Sequence, residues 1–184
     1  MSSITFDKNK IASLIKYCHR PDQLLEALDI KLLSPVDARR TDFPENTFGL
    51  FYSIDTLEHI PPDDIHSILK ESRRIVKPQG SFLHSIDLAD HFSYTDSTIS
   101  SINFLQFSDD EWRRLCNRYT YHNRMRKSDY EKIINSLGFA IIDKVEKSDA
   151  EICKASYNQL LLNIKKISEQ HEETGINRLL YLLD

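Results

Sequence analysis

The chain has 184 residues, 40% hydrophobic and 28% charged, enough apolar material for one packed domain with a tail, so a wholly disordered chain is excluded. Four glycines and six prolines exclude collagen-like and low-complexity chains. A net charge of −4 argues against a globally basic nucleic-acid binder and leaves room only for a local basic patch.

From the N-terminus, Ile11, Leu14, Ile15 and Cys18 repeat at helical spacing and predict a helix over 8–18. Pro21-Asp22 restarts the chain, and Leu24, Leu25 and Leu28 share one face of a short second helix. Ile30 to Leu33 reads as a short strand that ends at Ser34-Pro35. After a polar, turn-like stretch, Phe48 to Ile54 is a near-continuous apolar run, the pattern of a parallel strand covered on both faces. Pro61-Pro62-Asp63-Asp64 opens a helix, with prolines at positions that need no N–H and acids at the positive end of the dipole. Its apolar face is Ile65, Ile68, Leu69, Ile75 and Val76, and Pro78-Gln79-Gly80 stops it. Ser81 to Ile86 is the next strand, which completes a βαβ unit with a parallel crossover.

Residues 87–127 are irregular, with two short helices expected inside, one of them at 108–117. Ser128 and Glu131 resemble a capping box at the head of a helix carrying Tyr130, Ile133, Ile134 and Leu137. Gly138 stops that helix, and Phe139 to Val145 is a strand. Residues 150–168 read as a helix, while the apolar stretch 176–183 fits no element by pattern alone. The organisation expected is a helical segment at 1–29, a main body at 30–147 and a helical C-terminal segment at 148–184.

Cys18, Cys116 and Cys153 are far apart and form no CxxC, so buried, reduced thiols are expected rather than a disulfide framework or a structural zinc site. No leader-like start and no long apolar run is visible, so the expectation is a cytoplasmic protein without a membrane span.

Several residues carry chemistry. Glu58 and His59 follow the strand at 48–54, where α/β folds place their sites. The pair either acts as a general base or simply caps and packs the turn, and the second reading is favoured. His84, Asp87, Asp90 and His91 are metal-capable types crowded at a strand end, but their spacing matches no zinc signature. Ordinary hydrogen bonding is favoured there, a substrate-side role is the middle option, and no metal is expected. Between 112 and 127 stand six cations and no acid, namely Arg113, Arg114, Arg118, Arg124, Arg126 and Lys127, interleaved with Trp112, Tyr119 and Tyr121. Such a run can grip phosphates and stack bases. Asp109, Asp110 and Glu111 precede it, and a salt-bridged solvated face is favoured over nucleic-acid binding.

The order of these signals resembles a known family. Asp37-Ala38, then Phe43-Pro44-Glu45-Asn46-Thr47-Phe48, then the buried strand and Leu57-Glu58-His59-Ile60 are similar to the middle of a class I S-adenosylmethionine-dependent methyltransferase of type 11. Ile68 to Gly80 looks like that family's helix end, and Ser128 to Phe139 like its later helix-to-strand junction. The resemblance spans about residues 28–145. It implies an α/β fold: a Rossmann-like methyltransferase core with a mostly parallel sheet and flanking helices, truncated at its N-terminus. Gly49 stands where the family usually has Asp, and the family's glycine-rich turn and ribose-binding acid have no counterpart. The cofactor implied is S-adenosylmethionine, along an edge formed by Asp37, Ala38, Ser53 and Thr56. Glu58 and His59 are the catalytic candidates, and His84, Asp87 and His91 lie on the substrate side. The partners implied are a small-molecule methyl acceptor and, through the exposed strand edge, a second copy or another chain. The rival expectation is a non-catalytic, degenerate subunit that acts by binding a partner.

Overall fold

The computed structural model describes residues 16–17, 19–117, 119–146 and 178–183. The helices expected at 8–18 and 150–168 lie outside the described residues, apart from residues 16 and 17, which form a turn.

Helix α1 spans Pro21–Ala27, with Pro at its start and Asp22 in the first turn. Asp29 closes it in the left-handed region (φ 54°), and the Asp29 and Ile30 amides donate to Glu26 O and Leu25 O. That is the double bond of a Schellman end, with Asp in the place usually taken by glycine. The strand expected at 30–33 does not form. A strand exists only where a neighbour completes its ladder, and none of the described residues pairs with this segment. Ile30, Leu32, Leu33 and Val36 are all exposed.

Strand β1 (Phe48–Ile54), helix α2 (Pro62–Ile75) and strand β2 (Val76–Ile86) form the expected βαβ unit, with β1 and β2 parallel. Two details differ from the sequence reading. First, β2 starts five residues early: Phe48 pairs with Val76 and Leu50 with Ser81, so Lys77–Gly80 bulge out of the ladder. Gly80 is required at that bulge, because a Cβ there would sit 2.3 Å from Val76 Cγ1 and 2.9 Å from Lys77 O. Second, β1 is not covered on both faces. It lies at the sheet edge among the described residues, with Tyr52 and Ile54 exposed.

A 3-10 turn (Leu57–His59) follows β1, and two more (His91–Tyr94 and Asn103–Gln106) and helix α3 (Asp109–Leu115) occupy the irregular stretch 87–127. A capping box heads α3: Ser108 Oγ accepts from the Glu111 amide, and Glu111 accepts from Ser108 N at 2.8 Å. Helix α4 spans Lys127–Ser136, with Arg126 rather than Ser128 as its N-cap, two residues earlier than expected. Asp129 rather than Glu131 reaches back, accepting from the Arg126 amide at 3.0 Å. The shorter Asp side chain reaches the backbone from there, and Glu131 is drawn off by Lys144 at 3.0 Å.

Gly138 ends α4 at φ 72°, with its own amide and that of Phe139 donating to Asn135 O and Ile134 O. Strand β3 (Ala140–Glu146) follows as expected. The unplaced stretch becomes strand β4 (Arg178–Leu183), which slots between β2 and β3. The sheet order is β1-β2-β4-β3, every pair parallel. Ile65, Leu69 and Ile75 of α2, Phe82 and Ile86 of β2, and Tyr130 and Ile134 of α4 make one buried core. Phe139 packs edge-on against Phe82, ring centroids 4.7 Å apart.

Candidate active site

The site is built where β1 ends. Asp55 takes a left-handed conformation (φ 46°), its amide donates to Ser85 O, and its carboxylate accepts from Ser85 Oγ at 2.8 Å. The chain is thereby turned off β1 against β2. The 3-10 turn that follows buries Leu57 and Glu58 and leaves His59 exposed. Glu58 is 1% exposed, and among the described residues neither carboxylate oxygen has a hydrogen-bond partner. Burial pushes its carboxyl up to about 7, with Asp55 and Asp87 adding to the shift.

Asn123 holds this turn in place. Its buried Nδ2 donates to Leu57 O and Ile60 O at 2.8 Å each, and its amide donates to Glu58 O at 2.7 Å. Its Oδ1 accepts from Tyr130 Oη and from the Met125 amide, both at 3.1 Å. The pin brings residues 121–123 against 57–60. His59 Nδ1 lies 3.0 Å from Tyr121 O, and the His122 ring lies 5.7 Å from the His59 ring. His91 completes the group, its ring 4.9 Å from His59 and 4.4 Å from His122.

Asp87 positions His91, with Oδ2 3.0 Å from Nε2. Burial works against the Asp87 charge, but bonds from His91, Tyr94 and the Ala89 amide outweigh it and lower its pKa. The same pairing raises that of His91. Burial and the neighbouring imidazoles push His122 down to about 4, so it is neutral at physiological pH. Both of its ring nitrogens lack a hydrogen-bond partner.

A cleft of about 920 Å³ opens beside this group. His59 and His122 line it together with Pro61, Trp112, Tyr121 and Arg124. Trp112 Nε1 donates to His122 O at 2.9 Å and fixes the cleft wall. Several cations of the 112–127 run are engaged in structure rather than free for phosphates. Arg113 pairs with Asp110 at 2.8 Å, Arg124 binds Asp109 and the Phe107 carbonyl, and Arg126 donates to Leu88 O at 2.6 Å.

The structure therefore joins Glu58 and His59 to Asp87 and His91, residues that the sequence placed in two separate groups. It sets His84 apart: the side chain is 1% exposed within the sheet, with Nδ1 2.7 Å from Ser53 Oγ, and burial pushes its pKa down to about 4. Asp37 is exposed and bound by Arg39 through Nε, Nη2 and the amide, which brings its carboxyl down to about 2. Arg39 also reaches Asp64 at 2.8 Å. Thr56 Oγ1 donates to Ile54 O at 2.8 Å. None of Asp37, Ala38, Ser53 and Thr56 lines the cleft. The Asp37, Ser53 and Thr56 side chains are each hydrogen-bonded within the chain, to Arg39, His84 and the Ile54 carbonyl. Asn123 and His122 escaped the sequence reading. The available signal was a His-Asn pair interrupting the basic run beside three aromatic residues.

Residues 8–84 match the family model of the methyltransferase domain. The match takes in Asp37, Ala38, Ser53, Thr56, Glu58, His59 and His84, and ends before Asp87 and His91. No curated protein and no solved structure matches the chain. The match and the parallel α/β sheet agree: the chain has a Rossmann-like fold and resembles a class I S-adenosylmethionine-dependent methyltransferase.

Proposed function

We propose that this methyltransferase-like chain works on the acceptor side of methyl transfer. The cleft beside His59 and His122 receives the methyl acceptor, and the Glu58–His59 pair takes the proton from its nucleophile. The observation that carries this reading is the unpaired, buried Glu58 carboxyl beside His59, at the carboxyl end of β1 and within the matched region. A carboxyl whose pKa stands at about 7 can both accept and return a proton at neutral pH. The cleft bears aromatic walls and few free charges, which suits a small organic acceptor. Binding of S-adenosylmethionine by the chain itself is weak on this reading, since its expected edge is engaged elsewhere.

The test is transfer of a labelled methyl group from millimolar S-adenosylmethionine to a panel of small oxygen and nitrogen nucleophiles. The expected result is transfer by the full chain and its loss in Glu58→Gln and His59→Ala. Equal transfer by both variants would move the chemistry elsewhere.

A second reading is supported by the open edge of β1. Tyr52 and Ile54 are exposed there, and Ile30, Leu32, Leu33 and Val36 add further exposed apolar surface. Such an edge is a pairing site. On this reading the chain is a non-catalytic subunit, and its activity lies in the chain it binds.

A further inference from the structure

We propose that Glu58, His59 and His91 form a binding site for a divalent first-row transition-metal cation, with His122 beside the open coordination position. The inference concerns the same site as the acceptor reading but does not depend on it, because metal binding is measured without an acceptor.

Four observations converge. One donor atom from each of Glu58, His59 and His91 lies within 4.8 Å of the other two. Tetrahedral ligands at about 2.1 Å from a cation stand roughly 3.4 Å apart, so a closing movement of at most about 1.4 Å completes the geometry. Both Glu58 oxygens are buried and without a partner, which is costly for an acid unless something satisfies it.

The outer partners are also in place. A metal-bound imidazole nearly always gives its second nitrogen to a carboxylate or a carbonyl. His59 Nδ1 is at Tyr121 O, which leaves Nε2. His91 Nε2 lies 3.0 Å from Asp87 Oδ2, an ion-pair distance without hydrogen-bond alignment, which leaves Nδ1 for a metal. Asp87 is in turn fixed by the Ala89 amide at 2.8 Å and by Tyr94 Oη. Finally, His122 stands 4.4 Å from the His91 ring with two unpartnered nitrogens, placed to accept from a water at the fourth position. His59 and His122 both line the cleft, so that position opens onto it.

The donor chemistry selects the cation. Two imidazoles and one carboxylate suit Zn²⁺, Fe²⁺, Co²⁺ or Mn²⁺, whereas Mg²⁺ and Ca²⁺ want oxygen ligands. A bound cation would also redefine the roles of Glu58 and His59. Their lone pairs would hold the metal, a hydroxyl at the open position would be acidified by the cation and lose its proton to water in the cleft, and the proton step of the acceptor reading would then apply only to the metal-free chain.

The experiment uses the full chain, untagged and stripped with EDTA, titrated with Zn²⁺ against a chelating indicator, with Mg²⁺ in a parallel arm. The expected result is one equivalent of Zn²⁺ bound with a dissociation constant below about 1 µM, and no competition from millimolar Mg²⁺. Glu58→Gln and His91→Ala should each weaken binding at least about 100-fold. Asp87→Asn should weaken it about 10–100-fold, and exposed His66→Ala should leave it unchanged. X-ray absorption on the zinc-loaded wild-type chain should show nitrogen and oxygen neighbours with imidazole scattering, a readout that does not depend on any variant folding. Sulfur neighbours, less than half an equivalent bound, or a folded Glu58→Gln chain with wild-type affinity would overturn the proposal.

Discussion

Replacing Asn123 by alanine isolates the element that holds the site together. The side chain makes four hydrogen bonds: to the carbonyls of Leu57 and Ile60 and from Tyr130 Oη and the Met125 amide. Asn123 is 5% exposed, and Tyr130 is 1% exposed, so water does not readily replace these partners. At about 1 kcal/mol for each bond, with some buried groups left unsatisfied, the expected loss is about 4 kcal/mol. That is a large fraction of the ~5–15 kcal/mol available to a domain. A urea melt reads it: with a slope of about 2 kcal/mol per molar, the midpoint should fall by about 2 M. Tyr130→Phe removes one of the four bonds and should cost about 1 kcal/mol. The two changes share a bond, so the double variant should lose less than the sum of the singles. A midpoint shift below about 0.5 M for Asn123→Ala would show that the 57–60 turn is held by other contacts.

Acid should destabilise the fold in two windows. His84 is held at about 4, below its ordinary value of 6.5, so the unfolded chain binds its proton first and the contribution of His84 to stability falls by about 3 kcal/mol between pH 6.5 and 4, against the opposite slope of Glu58; urea melts should show that component lost in His84→Gln. Glu71 is lowered to about 2 by its bonds from Arg74, with Thr41 adding to the shift. Its stabilisation is therefore present above pH 4.5 and lost as pH falls from about 4.5 to 2, and Glu71→Gln should remove that acid-sensitive component. Gly138→Ala should cost more than about 1 kcal/mol in the same melts, because φ is 72° and a Cβ would stand 2.9 Å from Arg73 Nη1. Light scattering should show concentration-dependent association of the full chain through the β1 edge, reduced by Tyr52→Lys; a monomer at all concentrations would remove the support for the partner reading.

The parts of the fold legible in the sequence are those fixed locally. Helix α2 is announced by Pro61-Pro62 and its acids, the end of α4 by Gly138, and β1 by its near-continuous apolar run. The failures need partners that the local pattern does not name. Ile30 to Leu33 has strand composition but no neighbour to pair with. Arg178 to Leu183 becomes a strand because β2 and β3 leave a lane between them. The site divides the same way. Glu58, His59, Asp87 and His91 stood out by residue type, yet they meet because β1 and β2 end side by side, with Ile54 opposite Ser85, and the Asn123 bonds that hold the 57–60 turn cross more than 60 residues of chain.

The central claim is that this methyltransferase-like chain keeps an acceptor site while its described residues do not cradle the methyl donor. Calorimetric titration of the full chain with S-adenosylmethionine tests it most directly. The account predicts a dissociation constant of about 1 mM or weaker. A value in the micromolar range would contradict it, by showing that the chain builds a complete donor site of its own.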